Sequence, residues 1–366
     1  MRSTKFSRRE VVSGLVGGAV SLALSPFSYA NPGPPPGMIA LRFNENPYGP
    51  SPGALKAAGE AARLGAYYAD DLQQPLIYAI ARKHRLSPEN VVLSSGSNEA
   101  LQAAFVAWGK QGKIVLPSLT YTDHVRYAQR MGVEVVPVPV AADLSIDLDR
   151  MADAVSDDVS LVYLCNPNNP TGLTIDGDEL RNFCRTVGRR ALIMIDEAYN
   201  EITDRPEYTS MVDLAREDGN VLVMRTFSKI FGMAGLRIGY GIGRPDLVRK
   251  VADHVMAWPN GVGLAAAAAC YDDDEFITFS RSKIFEGRRM VVDTFREHGF
   301  EPLPSQANFV FADIGRNGNE FQRRMAERGI LIRGRFAPHD NYIRVSMGRI
   351  EDIEVFRQVF RELIRS

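Results

Sequence analysis

Short apolar runs recur along the middle of this 366-residue chain, and helix-like segments separate them. Seven of these runs are predicted strands: residues 91–93, 114–116, 133–136, 161–164, 192–195, 221–224 and 238–242. Helix-like stretches lie between them, for example residues 98–108, 123–131 and 177–187. Alternating strands and helices favour a mostly parallel sheet that helices cover on both faces. The sequence therefore predicts an α/β fold with a large, mostly parallel seven-stranded sheet.

Lys229 follows the sixth of these runs and carries the most specific chemical signal. Thr226 and Ser228 stand just before it, and Arg237 follows eight positions later. A lysine beside the apolar edge of a sheet loses hydration, so its amine is more readily neutral and nucleophilic. Such an amine can form a Schiff base with an aldehyde cofactor. The two hydroxyls and the guanidinium are groups that bind phosphate. A single lysine after a strand is more commonly a surface residue, so the interpretation depends on the other segments.

A turn after the first run predicts another part of the same site. Gly96, Ser97 and Asn98 follow residues 91–93 and open a predicted helix. The exposed backbone N–H groups at the start of a helix form a seat for phosphate. An ordinary turn with a Ser or Asn cap has the same appearance. The phosphate interpretation is favoured because the segment 226–237 offers matching donors.

Asp196 stands at the end of the predicted strand 192–195. A carboxylate at that depth is costly unless it has a charged partner. A protonated pyridine nitrogen is such a partner, and keeping it protonated makes the ring an electron sink. The alternative is an aspartate that caps the next segment, but this does not account for Tyr199 three residues later.

The first thirty residues differ in composition from the rest of the chain. Four basic residues at positions 2, 5, 8 and 9 precede an apolar run at 11–24, and Ser-Tyr-Ala stands at 28–30. This arrangement predicts a secretory signal peptide. The segment 7–12 resembles the twin-arginine export motif. The run is shorter than the roughly 20 residues of a membrane-spanning helix, so no permanent anchor is expected. We expect a periplasmic protein.

Composition excludes other classes of protein. The net charge is −1, so no basic surface argues for a nucleic-acid partner. The three cysteines, Cys165, Cys184 and Cys270, are too few and too scattered for a disulfide framework or a zinc site. We expect buried thiols and no metal.

Seven segments together give the chain a family resemblance. They are 44–48 (NENPY), 95–99 (SGSNE), 168–172 (NNPTG), 196–199 (DEAY), 226–240 around Lys229, 307–309 (ANF) and 343–348 (IRVSMG). In this order they resemble the class I/II aminotransferases of fold-type I, which depend on pyridoxal 5′-phosphate (PLP). Within that class the chain most resembles histidinol-phosphate aminotransferases. The segments are spread from residue 44 to residue 348, which is nearly all of the chain after the signal.

The resemblance implies roles for individual residues. The catalytic residues would be Lys229, Asp196 and Tyr199. Besides these, the cofactor would be bound by Gly96, Ser97, Asn98, Tyr121, Asn169, Thr226, Ser228 and Arg237. Tyr199 and Asn169 match residues that hydrogen-bond the 3′-oxygen of the ring, and Tyr121 matches an aromatic residue that stacks on it. A packed loop tyrosine is an equal alternative for Tyr121, and a simple turn for the segment 168–172.

Substrate-binding residues follow from the same resemblance. They would be Tyr48, Asn308, Arg333 and Arg344. Arg344 lies in an apolar predicted strand, so its guanidinium needs an anion. A solvated charge near a strand end remains the alternative for Arg333. Tyr68 matches a tyrosine that reaches the phosphate in the neighbouring subunit, which would require a homodimer. Residues 68–70 are Tyr-Ala-Asp where the family has Tyr-Pro-Asp, so Tyr67 is a second candidate for this role.

The predicted domain organisation has four parts. Residues 1–30 form the signal and 31–37 a linker rich in proline and glycine. Residues 66–270 form the large PLP-binding domain, and residues 38–65 with 271–366 form a smaller α+β domain, as the resemblance implies. In that smaller domain, strands are predicted at 308–311 and 342–345, and helices at 320–328 and 351–364.

The predicted activity is transamination between an amino acid or amine bearing an anionic group and a 2-oxo acid. A PLP-dependent decarboxylase or lyase resembling threonine-phosphate decarboxylases is the main alternative, because fold alone does not separate these reactions. A non-catalytic binding protein on the same scaffold is a third possibility. Histidinol phosphate is the substrate that the resemblance suggests, whereas export from the cytoplasm argues against it.

Overall fold

The computed structural model describes residues 34–217 and 219–365. The predicted signal at 1–30 and the first residues of the predicted linker lie outside this part of the chain. The strands are β1 (Ile39–Ala40), β2 (Val91–Ser94), β3 (Lys113–Pro117), β4 (Val135–Val138), β5 (Val159–Cys165), β6 (Leu192–Asp196), β7 (Val221–Thr226), β8 (Gly239–Gly243), β9 (Phe309–Asp313), β10 (Ile330–Leu331) and β11 (Tyr342–Ser346). The α-helices are α1 (Pro52–Ala62), α2 (Gln73–His84), α3 (Ser97–Gly109), α4 (Asp123–Arg130), α5 (Leu148–Asp153), α6 (Gly177–Val187), α7 (Pro206–Thr209), α8 (Val212–Arg216), α9 (Pro245–Ala252), α10 (Gly261–Cys270), α11 (Asp274–Arg296), α12 (Gly318–Glu327) and α13 (Ile350–Ile364).

The predicted seven-stranded sheet is confirmed. Its strand order is β2-β8-β7-β6-β5-β3-β4, and β8 runs antiparallel to the other six strands. Every residue of β6, β7 and β8 is buried, which explains why the runs 192–195 and 221–224 are apolar in sequence rather than alternating. Because the parallel strands share one direction, their carboxyl ends meet at one edge of the sheet.

The predicted strand at 133–136 is displaced by two residues, since β4 begins at Val135. The Val133 N–H instead donates to the Ala128 carbonyl (3.1 Å) and closes the end of α4. Its side chain packs where a Cβ on Gly109 would stand. Val133 therefore serves the turn between helix and strand, and its apolar character reflects that packing.

Two smaller sheets lie outside the large one. β9 and β11 pair antiparallel, whereas β1 and β10 pair parallel. The Ser346 N–H donates to the Leu41 carbonyl (2.9 Å), which joins the two small sheets. Residues near position 40 thus lie beside the C-terminal strands, as the predicted smaller domain requires; its boundaries remain a prediction. None of the described helices combines the length and hydropathy of a membrane span.

Candidate active site

The candidate site lies at the carboxyl ends of three adjacent parallel strands. Cys165 at the end of β5 pairs with Asp196 at the end of β6, and Asp196 pairs with Met224 of β7. β7 extends two residues beyond its predicted end, to Thr226. Lys229 follows three residues later. Ligands in open α/β sheets bind outside these strand ends, and the structure brings the predicted residues to that edge.

The Lys229 amine is held by the segment that precedes α1. Its Nζ donates to the carbonyls of Asn44 (3.0 Å) and Phe43 (3.3 Å). It lies 5.5 Å from the centroid of the Tyr199 ring. Burial, together with the positive charge of Arg344, lowers the pKa of Lys229 to about 8. The amine is therefore much more often neutral at physiological pH than an ordinary lysine, which suits a nucleophile and base.

Two hydroxyls and a guanidinium converge beside Lys229, as the sequence predicts. The Thr226 hydroxyl donates to the Ser228 hydroxyl (2.9 Å) and accepts from the Ser228 N–H (3.1 Å). Arg237 Nη1 donates to the same Ser228 hydroxyl (3.2 Å). No carboxylate pairs with Arg237 within the described ranges, so its charge is free to meet an anion.

Gly96 completes this group from the other side. It has φ +77° and precedes α3, and a Cβ placed on it would stand 2.1 Å from Nη2 of Arg237. A Cβ on Gly239, at the start of β8, would stand 2.1 Å from the backbone nitrogen of Ser97. Both glycines allow the start of α3 to approach the Arg237 side chain and β8 closely. The predicted phosphate seat and the Arg237 group therefore form one cluster.

Asp196 is buried at 3% exposure and has no cationic partner within ion-pair distance among the described residues. Its carboxylate accepts from the Tyr163 hydroxyl (3.3 Å) and from the Ala198 N–H (3.1 Å). Burial raises the pKa of Asp196 to about 6. A cationic ring nitrogen would offset this burial cost, so the site fits the predicted partner.

The Tyr199 hydroxyl accepts from two side-chain amides. Asn44 Nδ2 lies 3.0 Å away and Asn169 Nδ2 lies 3.2 Å away. Burial raises the pKa of Tyr199 above its ordinary value. The tyrosine is therefore protonated, and with two donors already directed at its oxygen its own proton is left for a further acceptor. This arrangement fits the predicted contact with a ring oxygen.

Arg344 lies on β11 and points toward the same group. Its Nη1 donates to Asn169 Oδ1 (2.5 Å) and its Nη2 to the Arg42 carbonyl (2.9 Å). The residue is only 7% exposed, and its Nε has no hydrogen-bond partner among residues 34–217 and 219–365. Burial lowers the pKa of Arg344 to about 10. A buried guanidinium with no carboxylate partner within the described residues is suited to bind an anionic group of a ligand.

The other predicted substrate residues lie in different surroundings. Asn308 is buried and donates to the Asn44 carbonyl (2.9 Å), while its Oδ1 has no hydrogen-bond partner among the described residues. The Tyr48 hydroxyl accepts from the Ile350 N–H (2.9 Å), so its polar end is held at the start of α13. The backbone of Arg333 pairs with that of Arg344, and its side chain is exposed.

Two predicted cofactor residues, Tyr121 and Tyr68, contact other side chains of the same chain. The Tyr121 hydroxyl lies 3.2 Å from Asp123 Oδ2 and at the limit of hydrogen-bond distance (3.5 Å) from Asn98 Oδ1. Tyr68 is 92% exposed, and its ring packs edge-on against Trp258. Within one chain, therefore, Tyr68 contacts Trp258 rather than Lys229 or Arg237.

Sequence reasoning missed two residues that support the site. Asn44 has φ +57° and contacts both Lys229 and Tyr199, whereas the sequence marks it only as the first residue of the segment 44–48. Tyr163 donates to Asp196 from the neighbouring strand. The alternation of side chains along β5 places Tyr163 two residues before the strand end, which is a usable signal once the strand order is known.

No group of His, Cys, Asp and Glu residues in the described ranges has the arrangement of a metal site. The three cysteines are buried and unpaired, as predicted. Burial raises the pKa of Cys165, which keeps this thiol protonated although it stands beside Asp196.

Comparison with known proteins agrees with this geometry. The family model for aminotransferase class I and II matches residues 36–360. Histidinol-phosphate aminotransferase of Moorella thermoacetica is 34% identical over 333 residues, which are 89% of this chain and 86% of that protein. The enzyme of the same name from Bacillus subtilis is 31% identical over 330 residues, 89% of this chain and 92% of its own length. The crystal structure of histidinol-phosphate aminotransferase from Sinorhizobium meliloti in complex with PLP is similar at a TM-score of 0.82 and 30% identity, over 89% of this chain and 91% of that one.

Proposed function

The chain belongs to the family of class I and II aminotransferases, and we propose that it moves an amino group between an anionic amine or amino acid and a 2-oxo acid. It is a PLP-dependent aminotransferase. The observation that carries the choice of substrate is Arg344, a buried guanidinium that contacts Asn169 and is paired with no carboxylate in the part of the chain that the structure describes. An anionic substrate would supply the missing partner next to the Lys229 amine.

The residues at the strand ends fit PLP in three ways. The cluster of Thr226, Ser228 and Arg237 with the start of α3 would hold the phosphate. Asp196 would hold the ring nitrogen, and Tyr199 with Asn169 would hold the ring oxygen. Tyr121 remains the proposed stacking residue. Bound PLP supplies an electron sink for the carbanion that forms when a proton leaves the substrate.

The chain's own groups perform the proton transfers in this proposal. The Lys229 amine is the group that takes the proton from the carbon bearing the amino group and later returns one. Its contacts with the Asn44 and Phe43 carbonyls hold it beside Tyr199 and near Asp196. Arg344 fixes the anionic end of the substrate, so that the reacting carbon stays close to this amine.

A pH dependence follows from the Lys229 amine. Its pKa is about 8, so the fraction of neutral amine increases as the pH rises through 8 and then levels off. Cofactor-free protein should therefore take up PLP faster with rising pH and reach a plateau above about pH 9. The nearby charges are Arg344 and Arg237, which lower this pKa, and Glu45 and Asp196, which raise it.

The matched variants sharpen this test. Arg344→Ala removes a neighbouring positive charge, so the profile should move to higher pH. Arg323→Ala, which removes an exposed arginine paired with Glu327, should leave the profile unchanged. Stopped-flow absorbance measures the uptake rate. A flat profile between pH 6 and 10 would contradict the proposed role of the amine.

Arg237→Ala should weaken PLP binding strongly. The variant removes a charge-assisted contact to phosphate, which is worth about 1.5–3 kcal/mol, or roughly 10- to 100-fold in affinity. The dissociation constant is measured by titrating cofactor-free protein with PLP. Arg237→Lys should recover part of the loss, and pyridoxal without phosphate should bind wild type and variant equally. If the variant discriminated against both ligands alike, Arg237 would not be the phosphate residue.

A substrate screen tests the proposed reaction. PLP-loaded protein is incubated with histidinol phosphate, acidic, aromatic and aliphatic amino donors, each with 2-oxoglutarate. Glutamate formation from an anionic donor supports the proposal, and histidinol phosphate is the first donor to try because the relatives carry its name. Carbon dioxide release without glutamate would instead identify a decarboxylase.

We also propose that the enzyme is a homodimer in which Tyr68 reaches the partner subunit's phosphate seat. Exposed apolar side chains support this interface, because Tyr67, Tyr68, Met256 and Trp258 are each more than half exposed. Sedimentation of wild type and of Tyr68→Ala would give the association state. Tyr68→Phe keeps the ring and removes the hydroxyl, so it isolates the contact with phosphate.

Export by the twin-arginine route is our proposal for the location. It suits an enzyme that acquires a cofactor before it crosses the membrane, since that route carries folded proteins. Changing Arg8→Lys and Arg9→Lys together should retain the activity in the cytoplasmic fraction. Activity that stays cytoplasmic in the wild type would contradict the proposal, whatever the reaction proves to be.

A further inference from the structure

A tyrosine hydroxyl contacts the Asp196 carboxylate from the neighbouring strand. Each carboxylate oxygen accepts one hydrogen bond, Oδ1 from the Ala198 N–H (3.1 Å) and Oδ2 from the Tyr163 hydroxyl (3.3 Å). Tyr163 lies on β5 and is fully buried. Within the described ranges, its hydroxyl is the only side-chain group that donates a hydrogen bond to Asp196. Removing this hydroxyl would leave one carboxylate oxygen without a donor.

Two aromatic rings hold the Tyr163 phenol in this place. The Phe105 ring lies edge-on to it with the centroids 5.6 Å apart, and the His124 ring does so at 4.7 Å. Edge-to-face packing in a dense interior leaves the phenol little room to turn away from Asp196. Burial raises the pKa of Tyr163 well above its ordinary value, so its hydroxyl remains a donor at every pH at which the protein would work.

The other titratable groups around Asp196 do not replace this hydroxyl. His124 is buried, and both of its ring nitrogens lack a hydrogen-bond partner in the part of the chain that the structure describes. Burial lowers the pKa of His124 to about 3, so its ring is neutral above pH 4. Lys229 lowers the pKa of Asp196, and Glu197 raises it. Burial raises the pKa of three further neighbours, which are therefore uncharged near neutral pH: Cys165, Tyr121 and Tyr199.

The hydroxyl of Tyr163 makes Asp196 a weaker base. A hydrogen bond to the charged form of an acid lowers the affinity of that acid for a proton. Tyr163 acts on Asp196 in this direction, whereas burial acts in the opposite direction and has the larger effect. A carboxylate and a pyridine nitrogen that share one proton compete for it. A less basic carboxylate therefore leaves the proton on the ring nitrogen.

We propose that Tyr163 is a positioning residue that acts through Asp196: its hydroxyl fixes the carboxylate in one orientation and keeps the shared proton on the ring nitrogen of PLP. The inference rests on the proposed function, because that function places Asp196 at this nitrogen. Tyr163 transfers no proton itself. The separation of 3.3 Å is long for two oxygens, but hydrogen bonds in catalytic sites commonly tighten when the ligand binds.

Urea unfolding of cofactor-free protein between pH 4 and pH 8 tests the contact with Asp196. The stability advantage of Asp196→Asn over the wild type should grow up to about pH 6, where Asp196 titrates. With Tyr163→Phe added to both proteins, this growth should continue to a pH higher by roughly 0.5–1 unit, as expected for the loss of a weak hydrogen bond to a charged group. Tyr127→Phe, an exposed tyrosine on α4, should leave the profile unchanged.

The ¹⁵N chemical shift of PLP labelled at its ring nitrogen tests the position of the proton. In the loaded wild type the shift should be that of a protonated ring. Tyr163→Phe should move it toward the value of a neutral pyridine, and Asp196→Asn should move it further in the same direction. Tyr127→Phe should not move it.

The outcomes separate this inference from the proposed function. If Tyr163→Phe lowers the stability by the same amount at pH 4 and pH 8, or leaves the ¹⁵N shift unchanged, the role of Tyr163 is overturned even if the enzyme transaminates. An upward move of the pH profile together with the ¹⁵N change supports that role even if no amino transfer is found, because neither measurement needs turnover. If Tyr163→Phe does not fold, Tyr163→Met fills the space without a hydroxyl, and the same criteria apply.

Discussion

Replacing Lys229 with alanine is expected to abolish amino transfer while the protein stays folded. The variant lacks both the amine that would hold the cofactor and the base that would move the substrate proton. General base catalysis alone contributes about 10²- to 10⁴-fold, and loss of covalent attachment adds to it. We therefore expect a fall in kcat of about 10⁴-fold or more. The visible absorbance of the bound cofactor should change with it.

Three comparisons decide whether that loss is specific. Lys229→Arg keeps a positive charge but cannot form a Schiff base, so it should be equally inactive. Lys110→Ala removes an exposed lysine and should be silent. Circular dichroism should show native helix content in all three variants. Transamination by Lys229→Ala at more than a tenth of the wild-type rate would remove Lys229 from the mechanism.

Asp196→Asn is expected to have two effects of opposite sign. In the PLP-loaded enzyme it removes the anion that would keep the ring nitrogen protonated. Breaking such a buried charge pair costs about 3–5 kcal/mol, so kcat should fall by roughly 10²- to 10⁴-fold. In cofactor-free protein, by contrast, the same variant should be more stable than wild type at pH 7.

The sign of the stability effect follows from the pKa of Asp196. Burial raises it from the ordinary 3.8 to about 6, so folding disfavours the ionised form. The free-energy cost of burying the ionised carboxylate is absent below pH 4, grows between pH 4 and pH 6, and stays constant above pH 6. It amounts to about 3 kcal/mol at most, at about 1.4 kcal/mol per pH unit. Asparagine has no charge to bury, so Asp196→Asn avoids this cost.

Urea unfolding of cofactor-free wild type and Asp196→Asn at pH 4 and pH 7 measures the difference. The two proteins should differ at pH 7 and converge at pH 4. Asp153→Asn, an exposed aspartate on α5, should show no such difference. If Asp196→Asn destabilised cofactor-free protein at pH 7, Asp196 would have a structural role in place of the proposed catalytic one.

The strands of the large sheet could be predicted because buried strands leave a strong local signal. The run 192–195 is apolar throughout and ends in an aspartate, and both features follow from burial on two faces and from the strand end at the site. Val133 lies outside its predicted strand because its apolar side chain packs against the end of a helix. From sequence alone, such a residue looks the same as a strand residue.

The contacts that join distant segments could not be predicted from local pattern. Asn44 meets Tyr199 across 155 positions and Ser346 across 302. Arg344 likewise reaches the backbone carbonyl of Arg42 across 302 positions. Side chains whose role depends on a partner far along the chain carry no periodicity of their own.

The contacts of Asn44 also bear on the order in which parts of the protein fold. Its N–H donates to the Ser346 hydroxyl, and its side chain and carbonyl hold Tyr199 and Lys229. While the ribosome is still translating β11, the central sheet already has all its strands, but Asn44 lacks its anchor. Because contacts of such large sequence separation carry a large loop-closure cost, we expect the reactive lysine to be fixed late in folding. A chain that ends before β11 lacks Ser346, and we expect it to lose the anchor through which Asn44 positions the amine.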